Sequence, residues 1–354
     1  MRSFSEVRPV LPIDLPLVRR LSAQAVSFDS ATSLTRGSHS LEGAVWSAVP
    51  LTDLGTPTFV LRDGDNAYVA QFRHRGGSPH AHITFFAPAA ELCTDTPWLS
   101  LIDAMTQAAG RRGALTLNAE AAENGEAFAI LRQAGFAVYA RQEIWRRLPG
   151  PLPSRSPDVL RPETDQDAWS ITCLFNNVVP RLVWQADAPP ETGHGGLVYE
   201  QNGQVLAYIS VQEGKCGLYI QSLLHPDIYS QARAILASVL ARLPRAERLP
   251  VYVPVRRFQE WMGGPLIDSG FDPWSSQAVM VKHTVARVEH PVFRPAHTLE
   301  GVIHARTRII DYWNNNQYQA QDEAPVKEVV NGISHHRRSG KAQSSPPSVP
   351  GRLA

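Results

Sequence analysis

The chain has 354 residues, which predicts about two domains, because single hydrophobic cores seldom grow beyond roughly 250–300 residues. Its 34 lysines and arginines nearly balance 33 aspartates and glutamates, and 43% of the residues are hydrophobic. This balance excludes a general electrostatic attraction to nucleic acid or to acidic membranes, and we expect neither partner. The sequence has no apolar run of membrane-spanning length and no signal-peptide pattern, so we expect a cytoplasmic protein.

Three cysteines, Cys93, Cys173 and Cys216, are spread over the chain. Their number is odd and their spacing does not match that of a zinc site. The sequence therefore predicts reduced, buried thiols in a reducing compartment and no bound metal.

The first half of the chain predicts strands that pair as hairpins early and alternate with helices late. The pattern indicates a strand at 6–10, a helix near 15–21, a hairpin turning at 63–66, a strand at 81–87, a helix from 97, a helix at 124–134 and a closing strand to 145. This order is typical of a mixed α/β fold.

A proline-rich break at 148–157 is followed by a second copy of this order. We therefore predict a first domain at 1–150, a linker at 151–157 and a second domain at 158–288. A C-terminal extension with an amphipathic helix is predicted at 289–313, and the polar, Pro/Ser-rich residues 314–354 predict a disordered tail.

Each half closes with the same short unit, in which a helix ends at a glycine and a phenylalanine opens a strand. Gly135 and Phe136 form this unit in the first half, and Gly270 and Phe271 form it in the second. A left-handed backbone at the glycine would stop each helix, because glycine alone adopts it without a Cβ clash. Two copies of one closing unit predict two similar domains.

The order of elements resembles the GNAT N-acetyltransferase superfamily. The clearest matches are an asparagine-led helix ending in Gly-Phe, from Asn124 to Phe136, and the strand, His-Pro-Asp turn and helix at 222–243. The resemblance implies a mixed α/β (α+β) fold of two tandem GNAT-like acyl-CoA N-acyltransferase domains. Each domain would hold a mixed, mostly antiparallel sheet flanked by helices.

The resemblance also implies that acetyl-CoA is the acyl donor and that its pyrophosphate lies against backbone N–H groups at a helix N-terminus. In the second half, Tyr229, Ala232 and Ala234 stand where the family has an Arg or Gln, a Gly, and a Gly or Ala. The cofactor-binding residues implied are Leu223, Leu224, Tyr229, Ser230, Gln231, Ala232, Arg233 and Ala234. An ordinary strand-to-helix turn is the other interpretation of the same residues.

The corresponding stretch of the first half has no glycine and carries Glu91 and Asp95. Negative charge at that place would repel a pyrophosphate, so we expect no cofactor in the first domain.

Catalytic residues are harder to assign from the resemblance. Many family members have a proton-donating tyrosine four residues before the Gly-Phe glycine, whereas this chain has Leu131 and Leu266 there. His225, directly after the cofactor strand, is a possible general base, because an unperturbed imidazole titrates near neutral pH. The alternative is that His225 simply caps the turn.

Two functions follow from these residues. The first is an acetyl-CoA-dependent N-acetyltransferase whose acceptor is a small-molecule or peptide amine. The second is a non-catalytic GNAT-like protein that binds a ligand or a partner protein through the cleft that an ancestral acyltransferase would have used. The sequence assigns neither the acceptor nor an oligomeric state.

Overall fold

A computed structural model of the chain describes residues 7–37, 56–89, 92, 97–152 and 158–284. These residues lie in one compact unit, Met1–His290. The predicted extension helix and tail, most of the predicted linker, and Glu91, Asp95 and Cys93 fall outside the described residues.

The first half contains seven strands and four helices among its described residues. The strands are β1 (Val7–Pro9), β2 (Val26–Ser27), β3 (Thr58–Asp63), β4 (Asn66–His74), β5 (His80–Ala87), β6 (Thr116–Ala121) and β7 (Ala137–Arg147). The helices are α1 (Leu15–Ser22), α2 (Ser30–Arg36), α3 (Pro97–Arg111) and α4 (Glu126–Gln133).

The described part of the second half has a similar order, with six strands and four helices. The strands are β8 (Arg161–Pro162), β9 (Leu197–Gln201), β10 (Gln204–Glu213), β11 (Leu218–Leu224), β12 (Val251–Arg256) and β13 (Asp272–His283). The helices are α5 (Ala168–Val178), α6 (Arg181–Trp184), α7 (Ala232–Ala241) and α8 (Gly263–Asp268).

All these strands form one mixed, mostly antiparallel sheet in which the two halves exchange their last strands. The order is β1-β3-β4-β5-β6-β13-β7-β12-β11-β10-β9-β8, with β2 paired to β5. The closing strand of the second half thus lies between β6 and β7, and the closing strand of the first half lies between β13 and β12. The boundary predicted near residue 150 falls between β7 and β8 and stays a prediction.

The two exchanged strands meet at a pair of equivalent residues. Gln142 and Gln277 align with each other when the Gly-Phe units are superposed, and they lie opposite each other in the β7–β13 register. The Gln142 amide donates a hydrogen bond of 2.9 Å to the Gln277 side-chain oxygen. A local pseudo-twofold axis therefore passes through this pair.

Each hydrophobic core also contains residues from the other half's closing strand. The first core packs α3 and α4 against β3–β6 and takes in Ala278 and Met280 of β13. The second core packs α7 and α8 against β10–β12 and takes in Trp145 of β7. Burial of apolar surface therefore depends on the exchange in both halves.

The structure confirms the closing units. Gly135 and Gly270 have φ angles of 88° and 80°. The Phe136 N–H donates to the Leu131 carbonyl at 2.9 Å, and the Phe271 N–H donates to the Leu266 carbonyl at 3.0 Å. Both phenylalanines are 1% exposed. In each half the glycine therefore ends the helix in a left-handed turn and directs the following ring into the core.

A second repeated unit lies near the start of each half. Arg8 makes two bonds to Asp14, at 2.6 and 2.9 Å, and Arg161 makes two bonds to Asp167, both at 2.7 Å. Each aspartate also accepts from the backbone N–H three residues before it. These contacts lower the pKa of both carboxyls, the arginine hydrogen bond being the largest cause.

The prediction of buried thiols was wrong for one cysteine. Cys216 is exposed and Cys173 is half-buried, and both are free. Cys216 lies in the turn between β10 and β11, where its backbone N–H bonds to the Thr35 carbonyl while its side chain faces outward.

Candidate functional site

The turn that the resemblance assigns to the acyl donor follows β11 without a break. His225 caps a 3-10 helix, Pro226–Gln231, which runs directly into α7. The His225 ring nitrogen Nδ1 accepts from the Asp227 N–H at 3.3 Å. His225 therefore has the capping contact that the sequence offered as its alternative role, and a catalytic role stays a prediction.

Several side chains of this turn already have protein partners. Tyr229 stacks on Trp261 with ring centroids 3.6 Å apart, and the Tyr199 hydroxyl donates to the Gln231 side chain. Ser230 and Arg233 are exposed at the start of α7, where Arg233 lies 3.8 Å from Asp268. Leu224 and Ala232 are buried in the core. The groups of the turn that can meet an anion from solvent are therefore Ser230, Arg233 and the N-terminus of α7.

A gap in backbone pairing opens beside this turn. The parallel strands β11 and β12 pair at Leu218↔Val251 and Tyr219↔Tyr252 and diverge beyond that point. The Ser222 carbonyl, which lies in the divergent part, accepts from the Gln259 side-chain amide at 2.8 Å. A side-chain amide thus satisfies the Ser222 carbonyl at a place where a ligand could bind instead. Crevices outside the carboxyl ends of parallel strands are common ligand sites.

The first half has the equivalent gap between β5 and β6, which pair from His80↔Thr116 to His82↔Asn118. There the main chain itself closes the gap. The Phe28 N–H donates to the Thr84 carbonyl at 3.0 Å, and the Glu120 N–H donates to the Phe28 carbonyl at 3.0 Å. Phe28 is 2% exposed, and its ring packs in the first core, 4.5 Å from the Phe86 ring between centroids.

The positions that carry the family's tyrosine are structural in this chain. Leu131 and Leu266 are both 0% exposed, and each carbonyl accepts the N–H of the phenylalanine in its closing unit. Neither side chain can exchange a proton, and neither faces an open cleft.

A polar trio at the junction of the halves was not found from the sequence. The Tyr139 hydroxyl donates to Asp187 at 2.5 Å, and Arg256 lies 3.2 Å from the other oxygen of Asp187. Tyr139 packs against the same apolar cluster, Phe175, Val179 and Val183, as Leu223 of β11 and Phe258. The trio therefore lies near the divergent end of β11 and β12.

Burial affects the protonation of the tyrosine in this trio. It raises the pKa of Tyr139, and the nearby Asp187 carboxylate adds to that effect. The tyrosine therefore keeps its proton at neutral pH. No sequence signal pointed to the trio, because Asp187 lies in an irregular loop and Tyr139 aligns with Trp274, which cannot act as an acid.

More buried titratable groups follow along the same face of the sheet. Glu120 accepts from the Ser30 N–H at 2.9 Å, and burial raises its pKa. Burial, with Arg73 as the next cause, lowers the pKa of His82 to about 4, so this imidazole is neutral at pH 7. Polar residues alternate with core residues along β6, which is why Asn118 and Glu120 face this side.

Two cavities flank the Gln142–Gln277 pair. One of about 290 Å³ is lined by Phe28, Leu92, Glu120 and the start of α4. The other, of about 460 Å³, is lined by residues of β7 and β12, with Arg141, Glu143, Arg257 and Glu260 among them. Gln277 lines both, whereas no residue of the 222–234 turn lines either.

The described residues hold no group of three or more histidines, cysteines, aspartates or glutamates arranged for a metal ion. Within the same residues, no helix combines the length and the apolar character needed to span a bilayer.

Comparison with known proteins relates this arrangement to solved structures. No protein-family model matches the chain, and neither does any curated protein sequence. A tandem GNAT protein from the clavulanic acid biosynthesis pathway is similar with a TM-score of 0.50 and 15% identity, over 79% of this chain and 98% of that one. A GCN5-related N-acetyltransferase from Sphaerobacter thermophilus has a TM-score of 0.49 and 13% identity, over 79% and 95% of the two chains.

The similarity to the tandem protein covers nearly all of that chain, and at 15% identity it is evidence of fold alone. It agrees with the repeated closing units, the repeated Arg–Asp contacts and the two cores around one sheet. The chain therefore has the tandem GNAT N-acetyltransferase fold, in which two GNAT-like halves follow each other.

Proposed function

We propose that the chain is an acyl-CoA-dependent N-acyltransferase, with acetyl-CoA as donor, whose second half holds the donor. The observation that carries the proposal is the gap between β11 and β12, where the Gln259 side chain donates to the Ser222 carbonyl. A side chain can rotate away to free the Ser222 carbonyl for a ligand, whereas the Phe28 main chain in the first half cannot.

The residues at the turn fit the anionic end of such a donor. The phosphates of the donor would meet Ser230, Arg233 and the N-terminus of α7, whose partial positive charge favours anions. Leu223 and Leu224 would line the path between the strands, and Tyr229, Gln231, Ala232 and Ala234 would shape the turn. The bound donor supplies an activated acyl group as a thioester.

Tyr139 is the group of the chain that best fits the proton transfer. Its hydroxyl keeps its proton, lies near the divergent strands, and is oriented by Asp187, which Arg256 holds in turn. A proton donor placed in this way would protonate the departing CoA thiolate, a role that contributes about 10²–10⁴-fold to rate. The acceptor would be a small-molecule or peptide amine that binds in its neutral form. The exposed free thiol of Cys216 agrees with the cytoplasm, a reducing compartment.

Calorimetric titration of the full chain with acetyl-CoA tests the donor site. We expect saturable binding, and Arg233→Glu should weaken it by about tenfold or more, because the reversed charge repels the phosphates. Arg248→Glu makes the same charge change beyond the other end of α7 and should leave the affinity unchanged. Absence of binding by the unmodified chain would refute the proposal.

A non-catalytic ligand- or partner-binding protein is the second candidate function. The observation that favours it is the closed gap of the first half together with the two buried leucines at the tyrosine positions. Release of CoA in the presence of a panel of amines separates the two functions. Turnover that Tyr139→Phe lowers by about 10²-fold would support the enzyme, and no turnover with any amine would support the second function.

A further inference from the structure

The smaller cavity beside Glu120 has features of a ligand site that the proposed acyl transfer does not use. It lies in the first half, where Phe28 closes the gap between β5 and β6, so that an acyl donor cannot enter from that side. A molecule in this cavity would therefore be bound without being acylated there.

The carboxylate of Glu120 lacks a counter-ion. One oxygen accepts from the Ser30 N–H at 2.9 Å, and among the described residues no basic side chain forms an ion pair with Glu120. At longer range, the positive charge of Arg256 lowers the pKa of Glu120 and the negative charge of Asp29 raises it. A largely buried carboxyl without an ion-pair partner is costly in its charged form, and a bound cation would reduce that cost.

The remaining wall of the cavity is mostly apolar. Val26, Phe28, Leu92 and Ala127 contribute hydrocarbon surface opposite the carboxyl. The volume of about 290 Å³ leaves room for a short hydrocarbon chain. Glu126, an exposed carboxylate, also lines the cavity, and this negative charge together with the apolar wall matches a molecule with a cationic end and an aliphatic body.

Both halves of the chain build this cavity. Gln277 comes from the exchanged strand β13, and its side-chain oxygen already accepts from Ser30 Oγ at 2.9 Å and from Gln142 at 2.9 Å. These contacts hold the wall of the cavity and the Ser30 N–H in place, so the carboxylate is oriented before any ligand arrives.

We propose that this cavity binds a small primary alkylammonium compound, with its ammonium group on Glu120 and its alkyl chain against Phe28 and Leu92. The site is separate from the donor gap of the second half and requires no acyl donor. It gives the first half, together with Gln277 of the exchanged strand, a binding role apart from the donor site.

Calorimetric titration of the full chain with n-butylammonium chloride, without any CoA compound, tests the site. n-Butanol has nearly the same shape without the charge and serves as the reference ligand. We expect n-butylammonium to bind at least about tenfold more tightly than n-butanol, and Glu120→Gln to remove that difference. Glu123→Gln is the control, because this nearby exposed carboxylate pairs with Arg141 and does not line the smaller cavity.

Ala127→Leu gives a second, independent measurement, because it fills the cavity without changing its charge. It should weaken the binding of both ligands, and it decides the question if Glu120→Gln does not fold. Equal affinities for n-butylammonium and n-butanol, or unchanged n-butylammonium binding in Glu120→Gln and Ala127→Leu, would overturn the inference. A chain that binds n-butylammonium but not acetyl-CoA would refute the proposed acyl transfer and leave this site standing.

Discussion

The two halves share a fold but differ in what crosses the gap between their central parallel strands. In the first half the main chain of Phe28 bonds to both strands and its ring is buried in the first core. In the second half the strands diverge after two pairs and the Gln259 side chain reaches across. The difference teaches that main-chain hydrogen bonds close the gap in the first half, whereas a side-chain contact that rotation can break crosses it in the second.

The largest expected effect tests whether Phe28 is core. Phe28→Ala should lower the free energy of unfolding by about 3–5 kcal/mol, because it removes a ring that is 2% exposed and lies 4.5 Å from Phe86 between ring centroids. Urea denaturation followed by circular dichroism measures it. A loss below about 1 kcal/mol would mean that the Phe28 ring is not part of the first core.

Substitution of the repeated Arg–Asp contacts tests whether they stabilise both halves alike. Asp14→Asn and Asp167→Asn should each cost about 1.5–3 kcal/mol, the usual contribution of hydrogen bonds to charged groups. Because the folded pKa of each aspartate lies below its unfolded value, this stability is complete above the unfolded pKa and is lost as pH falls through the folded one. Unfolding free energies from pH 7 down to pH 2 should therefore decline less in either variant than in the unmodified chain. Parallel curves would contradict the assignment.

The closing units should respond alike in both halves. Gly135→Val and Gly270→Val should each cost more than about 1–2 kcal/mol, and the asparagine variants clearly less, because β-branched residues avoid the left-handed backbone. An added Cβ meets no atom within 4 Å at Gly135 and only the Arg147 side chain at 3.9 Å at Gly270, so the cost is conformational. Thermal unfolding of the four variants gives the order. Equal small effects of Val and Asn would show that the helices do not depend on these turns.

The smallest expected loss of stability concerns the gap between β11 and β12. Gln259→Ala removes the hydrogen bond to the Ser222 carbonyl and a long one, 3.4 Å, from the Arg256 N–H, and it should cost only about 1 kcal/mol, since water or a ligand can replace the lost donor. The same variant should bind acetyl-CoA at least as tightly as the unmodified chain, because the gap is then free. Calorimetry measures the affinity, and a loss of binding would show that Gln259 supports the donor site and does not occupy it.

Local features of this fold could be predicted from the sequence, and features set by long-range contact could not. The Gly-Phe closures were predictable because one residue's backbone preference determines them. The exchange of β7 and β13 was not, because each strand has the same pattern whichever sheet position it takes. Asp187 gave no signal, since its role depends on a loop that brings it to Tyr139 from 48 residues away.

The strand exchange has a consequence for synthesis of the chain on the ribosome. The strand that lies between β6 and β7 ends at His283, which is 283 − 147 = 136 residues after the last residue of β7. At about 5–20 residues per second, roughly 7–27 s pass between the emergence of β7 and that of its neighbour β13. During that interval the facing edges of β6 and β7 stay without their partner, as an exposed template for pairing with another nascent chain. A polysome would bring such edges close together, so the yield of folded protein should fall with dense ribosome loading and rise when translation of residues 148–283 is fast.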